Sequence, residues 1–271
     1  MKLLCLYLLL CFCVYAKAPQ LFLLKTYKDD LNVTGWVMSE KYDGVRAMWE
    51  GKRLISRSGK VFNPPLSFLQ GFPSFALDGE LWTQRGDFEN IVSIVNTKEA
   101  SDRWDKLYFM VFEVPEQDGD FFERLGVLQA YLKEHKADKI KIVKQIRIGN
   151  QNEVKVYFDR LVHEGAEGVV IRDPQLPYYV GRTKEALKYK PYKDAECKVV
   201  SVVEGSGKYK GMMGALKCDF DGKIIKIGSG FSDKERKLAW SRGTRISFKY
   251  YGLTRLGNPK YPVFLRLRKI E

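Results

Sequence analysis

Ser39-Glu40-Lys41-Tyr42-Asp43-Gly44-Val45-Arg46 lies inside a segment, residues 34–60, in which short apolar runs alternate with turn signals. Gly35-Trp36-Val37-Met38 leads into it, Val45-Arg46-Ala47-Met48-Trp49 leads out, and Glu50-Gly51 and Leu54-Ile55 follow. Apolar runs broken by Asp-Gly and Glu-Gly predict antiparallel strands joined by hairpins. The octet also spells K-x-D-G-x-R. Asp-Gly is a common hairpin turn and a lysine ahead of it is ordinarily a solvated charge, so the octet alone fits a surface turn as well as a reactive lysine.

Outward from this segment, helical spacing appears from Phe88 to Asn96, in Leu125, Leu128 and Leu132, and in Phe158, Leu161 and Val162. Strands and helices together predict an α+β domain over residues 17–193. Beyond Asp194 short strands follow in quick succession: Lys198 to Val203, Met213 to Phe220, Lys223 to Ile227, Arg245 to Tyr250 and Val263 to Lys269. Five strands fit a small Greek-key barrel over residues 194–271. Ser232-Asp233-Lys234-Glu235, ahead of Leu238 and Trp240, is a capping box that opens a helix between the third and fourth strands, where the OB-fold places one. His135 and His163 fall in predicted helices with no cysteine or carboxylate at metal spacing, and read as solvated or capping side chains.

The 271 residues carry a formal charge of +13, which attracts polyanions, either nucleic acid or anionic lipid. Basic residues interleave with aromatics in Lys208-Tyr209-Lys210, Phe248-Lys249-Tyr250-Tyr251 and Lys260-Tyr261, and no run reads as a basic membrane helix, so nucleic acid is favoured. At the other end, Lys2, an apolar stretch from Leu3 to Val14 and small residues at Ala16 and Ala18 have the grammar of a signal peptide. The stretch is too short to span a bilayer. Cleavage after Ala16 makes residues 1–16 the leader and predicts a periplasmic protein, with no membrane association in the mature form. Three of five cysteines, Cys5, Cys11 and Cys13, lie in that leader. The remaining pair, Cys197 and Cys218, sits in predicted strands and fits either one cross-strand disulfide or two buried thiols.

Downstream of Lys41 come Ser56-Arg57-Ser58-Gly59, Leu77-Asp78-Gly79-Glu80-Leu81, Phe109-Met110-Val111-Phe112-Glu113, Glu167-Gly168-Val169-Val170-Ile171-Arg172 and Leu187-Lys188-Tyr189-Lys190. This ordered series resembles the covalent nucleotidyltransferase superfamily of DNA ligases, RNA ligases and capping enzymes. The short chain and small C-terminal barrel resemble the minimal, exported ATP-dependent DNA ligases of bacteria.

The resemblance implies a nucleotidyltransferase (adenylation) domain followed by an OB-fold, and an enzyme that seals nicks in double-stranded DNA through a lysyl-AMP on Lys41 and a DNA-adenylate. ATP is the AMP donor and Mg²⁺ or Mn²⁺ the metal. An attacking amine must be unprotonated, which cations and a metal around Lys41 would promote. Lys188 and Lys190, two apart on a strand and so facing one side, would present their ammonium groups to the α-phosphate. Asp43, Glu80 and Glu167 supply the hard oxygens that such a metal takes. The resemblance also places Phe112 on the adenine, with Ser39 and Glu40 nearby, Glu80 facing the ribose, Arg46 on the nucleotide and Arg57 on the 5′-phosphate of the nick. Arg172 reads equally as the structural partner of a nearby carboxylate.

At the C-terminus Arg268 matches the arginine that orients pyrophosphate in these enzymes, although Ile270 and Glu271 stand where Asp and Lys often follow. The loop from Glu204 to Gly214 is short where some small ligases carry a DNA-encircling insertion, so Lys208, Lys210 and Arg255 are the expected DNA contacts. The chain is expected to act as a monomer with no stable protein partner. Two other readings compete: an RNA ligase of the same superfamily, and a non-catalytic OB-fold protein that binds single strands.

Overall fold

A computed structural model describes residues 18–28, 31–254 and 256–268. The expected leader and Arg255 lie outside the described residues. Two compact units are present, one ending at Tyr189 and the other beginning at Lys190, three residues ahead of the boundary the sequence predicts near Lys193.

In the first unit β1 (Phe22–Thr26) and β2 (Val37–Glu40) are followed by β3 (Val45–Trp49), β4 (Leu54–Ser56) and β5 (Leu77–Trp82). Next come α1 (Phe88–Val95), β6 (Tyr108–Glu113), α2 (Phe121–Glu134), β7 (Ile140–Ile142) and β8 (Ile146–Arg147). The unit ends with α3 (Gln151–His163), β9 (Val169–Arg172) and β10 (Gly181–Tyr189). The strands form two sheets, one ordered β1-β10-β9-β2-β8 and the other β4-β3-β5-β6-β7. Side chains at the helix starts set those boundaries. Asp120 and Glu123 form a reciprocal capping box on α2, and Asn150 accepts from the Glu153 amide at the start of α3.

Alternation along each strand sorts residues between core and cleft. On the β4-β3-β5-β6-β7 sheet, Ala47, Trp49, Leu77, Leu81, Phe109 and Val111 pack into one apolar core with residues of α1 and α2. Arg46, Met48, Asp78 and Glu80 therefore point to the opposite face, with Arg46 directly across from Glu80. On the other sheet Met38, Ile171 and Leu187 pack with α3, which leaves Ser39, Val170 and Lys188 in one cross-strand row on the far face.

The second unit is a single sheet ordered β13-β12-β11-β14-β15, made of β11 (Lys193–Glu204), β12 (Met213–Phe220), β13 (Lys223–Ile227), β14 (Arg245–Tyr250) and β15 (Val263–Leu267). Its two edges meet through one parallel bridge, Ser229 to Val263, so the hydrogen-bonded ladder is OB-like without closing continuously. The helix α4 (Asp233–Arg236) opens with the capping box of Ser232 and Glu235, between the third and fourth strands as expected. β11 begins earlier than its apolar run, because Lys193 to Lys198 pair with β14 while Lys198 to Glu204 pair with β12. One long strand thus serves both neighbours. Cys197 and Cys218 form a disulfide between β11 and β12, with Cα atoms 5.6 Å apart, well inside the range such bonds span.

Candidate active site

Residues 41–44 carry the chain from one sheet of the first unit into the other, because β2 ends at Glu40 and β3 begins at Val45. Lys41 is fixed at two points by the turn that follows α3. Its amide donates to the Gly168 carbonyl at 2.9 Å, and its Nζ donates to Glu167 Oε2 at 2.6 Å. Gly168 adopts φ 149°, a backbone conformation open to glycine, and so turns its carbonyl to the Lys41 amide while Glu167 reaches the amine. Lys41 and Glu167 remain about one-fifth exposed, 21% and 17%, so a substrate can reach the pair.

Gly44 passes so close over β5 that a Cβ there would lie 2.3 Å from the Leu81 carbonyl oxygen and 2.8 Å from Glu80 Cγ. Only glycine lets the turn approach Glu80. That carboxyl is pushed up to about 8, chiefly by desolvation, with Lys41 and Arg46 opposing the rise and Glu167 and Asp78 adding to it. Glu80 thus sits in the electrostatic field of both the lysine and the carboxylate that holds it.

Arg46, expected on the nucleotide, directs its fork elsewhere. Nε and Nη2 donate to the two oxygens of the buried Asp78 at 3.0 and 2.6 Å, and Nη1 donates to the Phe22 carbonyl at 2.8 Å. The arginine ties its own sheet to β1. Its guanidinium also lies 5.4 Å from the centroid of the Phe112 ring, which is only partly buried and belongs to none of the core clusters. Phe112 therefore offers an accessible aromatic surface beside Arg46. Ser39 is buried in the row that includes Lys188. Lys190, first residue of the second unit, follows two residues later.

Two residues of these surroundings, Arg85 and Arg124, were not singled out by the sequence. Arg85 grips Glu40 with both arms, at 2.8 and 2.9 Å, and also reaches Glu164, so the Glu40 carboxylate is engaged by an arginine. Buried Glu113 accepts from Arg124 on α2 through both oxygens, at 2.9 Å each, and from Arg172 on β9 at 2.7 Å. Arg172 is thus the structural partner of a carboxylate and lies 4.0 Å from the Phe121 ring centroid. Each pairing joins side chains from different elements, 11 to 79 residues apart, which local pattern cannot reveal.

Among the described residues no three His, Cys, Asp or Glu side chains stand close enough to cage a metal. The expected trio of Asp43, Glu80 and Glu167 is not gathered into one site: Asp43 is exposed in its turn while Glu80 and Glu167 flank Lys41. The latter two still fit Mg²⁺ as hard oxygen donors whose mutual repulsion a cation would relieve, and Mg²⁺ commonly takes only one or two carboxylates beside phosphate oxygens.

Farther out, Arg57 is exposed in the turn after β4. Lys208 and Lys210 are exposed in the β11–β12 loop, with Lys208 Nζ 4.7 Å from the Tyr209 ring centroid. Arg268 pairs with Glu196 of β11.

A sequence family described as ATP dependent DNA ligase domain matches residues 22–190, and one described as DNA ligase OB-like domain matches residues 204–268. A DNA ligase of Haemophilus influenzae is 40% identical over 249 residues, covering 92% of each chain. The solved structure of a Lig E DNA ligase aligns with a TM-score of 0.79 at 35% identity, over 92% of this chain and 99% of that one. Chlorella virus DNA ligase-adenylate aligns with a TM-score of 0.53 at 25% identity, over 93% and 100% of the two chains. With its adenylation unit, its OB-like unit and a full-length bacterial relative all in agreement, the chain belongs to the ATP-dependent DNA ligase family.

Proposed function

We propose that this DNA ligase seals nicks through a phosphoramidate formed on Lys41. The observation that carries the reading is the 2.6 Å contact between Lys41 Nζ and Glu167, in the field of Glu80. In the first step Nζ attacks the α-phosphorus of ATP, the bond to pyrophosphate breaks, and Glu167, in contact with the amine, is suited to take the proton it releases. AMP then passes to the 5′-phosphate of the nick and frees Lys41. In the last step the 3′-hydroxyl attacks that phosphate and AMP leaves. Lys188, in the same row as Ser39, and Lys190 beyond it are suited to balance the negative charge that grows on phosphate in every step. Mg²⁺, when held by Glu80, Glu167 and phosphate oxygens, supplies charge neutralisation at the phosphorus. The exposed face of Phe112 suits the purine. Arg57, Lys208 and Lys210 suit the DNA backbone, and a monomer is sufficient for all of these roles.

Lys41→Ala abolishes sealing with ATP but leaves part of the final step on a nick that already carries AMP, since only the first step uses Nζ as nucleophile. Glu167→Ala or Lys190→Ala impairs both substrates. Gel assays of the two nicks, with circular dichroism as a folding control, separate these outcomes. A covalent AMP adduct on the Lys41→Ala protein would refute the assignment.

The compartment is part of the same proposal. A leader over residues 1–16 and release into the periplasm account for Lys2, the apolar stretch and Ala16. The Cys197–Cys218 bond supports an oxidising destination. N-terminal sequencing of protein from a fractionated native host tests this, and a full-length product confined to the cytoplasm overturns it.

A further inference from the structure

Arg85 stands in the turn after β5 and makes contacts that none of the ligase motifs accounts for. Its Nε and Nη2 donate to the two oxygens of Glu40 at 2.8 and 2.9 Å, the paired geometry that only a guanidinium provides. Its Nη1 donates to the Glu164 carboxylate at 3.0 Å and to the Glu164 carbonyl at 3.1 Å. Glu40 immediately precedes Lys41. Glu164 lies three residues before Glu167, in the turn between α3 and β9. One guanidinium therefore holds the segment that carries the amine and the segment that carries its carboxylate partner.

The turn that presents Arg85 is itself ordered. Asp87 accepts from Thr83 at 2.5 Å and from Asn90 at 2.9 Å, and Gly86 takes the positive φ that closes it. β5 enters this turn carrying Glu80, so all three segments around the reacting amine converge on Arg85. Tyr42, next to Lys41, packs edge-on against Trp82 with ring centroids 4.9 Å apart, a further contact between this segment and the end of β5.

We infer that Arg85 is a positioning residue for the first chemical step: by clamping Glu40 to Glu164 it sets the approach of Lys41 Nζ to the α-phosphate. The inference rests on Lys41 being the nucleophile. A displacement of about 1 Å in a reacting group costs about 100-fold in rate. Arg85→Ala should therefore slow lysyl-AMP formation at saturating ATP by about 10- to 100-fold, with the KM for ATP little changed. Sealing of a pre-adenylylated nick, in which Lys41 makes no bond, should be spared. Arg85→Lys restores the charge without the two-armed grip and should recover only part of the rate. Glu40→Gln should reproduce the defect, and the double variant should be no slower than Arg85→Ala alone, as expected for two residues in one contact.

The experiment is single-turnover adenylylation with labelled ATP, run beside sealing of the pre-adenylylated nick, on Arg85→Ala, Arg85→Lys and Lys41→Ala. Should Arg85→Ala lose its fold by circular dichroism, the same comparison is read on Arg85→Lys. A wild-type adenylylation rate in the Arg85 variants, or an equal loss in both assays, overturns the positioning role. An adduct formed by Lys41→Ala instead overturns the nucleophile on which it rests.

Discussion

Gly44→Ala is the smallest change that should separate the turn from the chemistry it serves. The added methyl would sit 2.3 Å from the Leu81 carbonyl oxygen and 2.8 Å from Glu80 Cγ, where ordinary contact needs about 3.4 Å or more. The Leu81 carbonyl belongs to a central strand and cannot swing away, so the turn must lift by about 1 Å. Overpacking of this kind costs about 1–3 kcal/mol. For a unit of this size that lowers the melting temperature by roughly 2–4 °C per kcal/mol, or about 2–12 °C in all. Lifting the turn also moves Lys41 away from Glu80, and adenylylation should fall by about 100-fold. Calorimetry and single-turnover labelling with ATP measure the two effects on one sample. Gly126→Ala is the control: it lies within α2 with open space around it, and should raise stability by about 0.5–1 kcal/mol without touching the rate. Gly44→Ala that melts lower yet adenylylates at the wild-type rate would refute the claim that this turn positions the site.

Replacing both Cys197 and Cys218 by serine opens a loop with a sequence separation of 21, which should cost the OB-like unit about 3 kcal/mol, measured by urea unfolding with and without reductant. Equal stability in both conditions would refute it. Burial alone would raise the Glu113 carboxyl, but hydrogen bonds from Arg124 and the charges of Arg172 and Arg124 hold it below its ordinary 4.5. A depressed carboxyl contributes stability above pH 4.5 that is lost as pH falls through the native value, so acid unfolding should begin below that point. Glu113→Gln should remove this dependence and cost about 3–5 kcal/mol near neutrality by leaving two arginines uncompensated; an unchanged acid limb in a melting series would contradict the account. Affinity for a nicked duplex should fall by orders of magnitude between about 50 and 200 mM salt, because phosphate contacts release counterions. A flat salt dependence in a filter-binding titration would rule out the basic surface as the binding face.

The strands of the OB-like unit were legible because each reads as a compact apolar run, and the start of α4 because a capping box is a local event. Lys193 to Glu196 was not legible as strand. Its charged residues are tolerated there because pairing with β14 satisfies the backbone while Cys197 faces the core. The motif residues Lys41, Glu80, Phe112, Glu167 and Lys188 stand out by their order along the chain. What their side chains touch was not. The grip of Arg46 on Asp78, of Arg85 on Glu40 and of Arg124 on Glu113 depends on register between strands and helices that meet only after folding. Sequence likewise left the two cysteines open between a bond and free thiols, since the choice turns on a Cα separation that the two strands fix together.

The two sheets of the first unit differ in how they are drawn from the chain. The strands β3 to β7 come from one continuous stretch, residues 45–142, whereas the other sheet joins residues 22–40 to residues 146–189 from the opposite end. One sheet is thus nested within the sequence of the other. Closing the outer sheet pairs residues far apart in the chain, the kind of non-local contact that slows folding. Because Lys41 lies in the outer-to-inner crossing and Glu167 just ahead of β9, their contact forms only when the outer sheet brings β2 and β9 together. The site around Lys41 is therefore a product of the tertiary fold of the first unit and not of any one local segment.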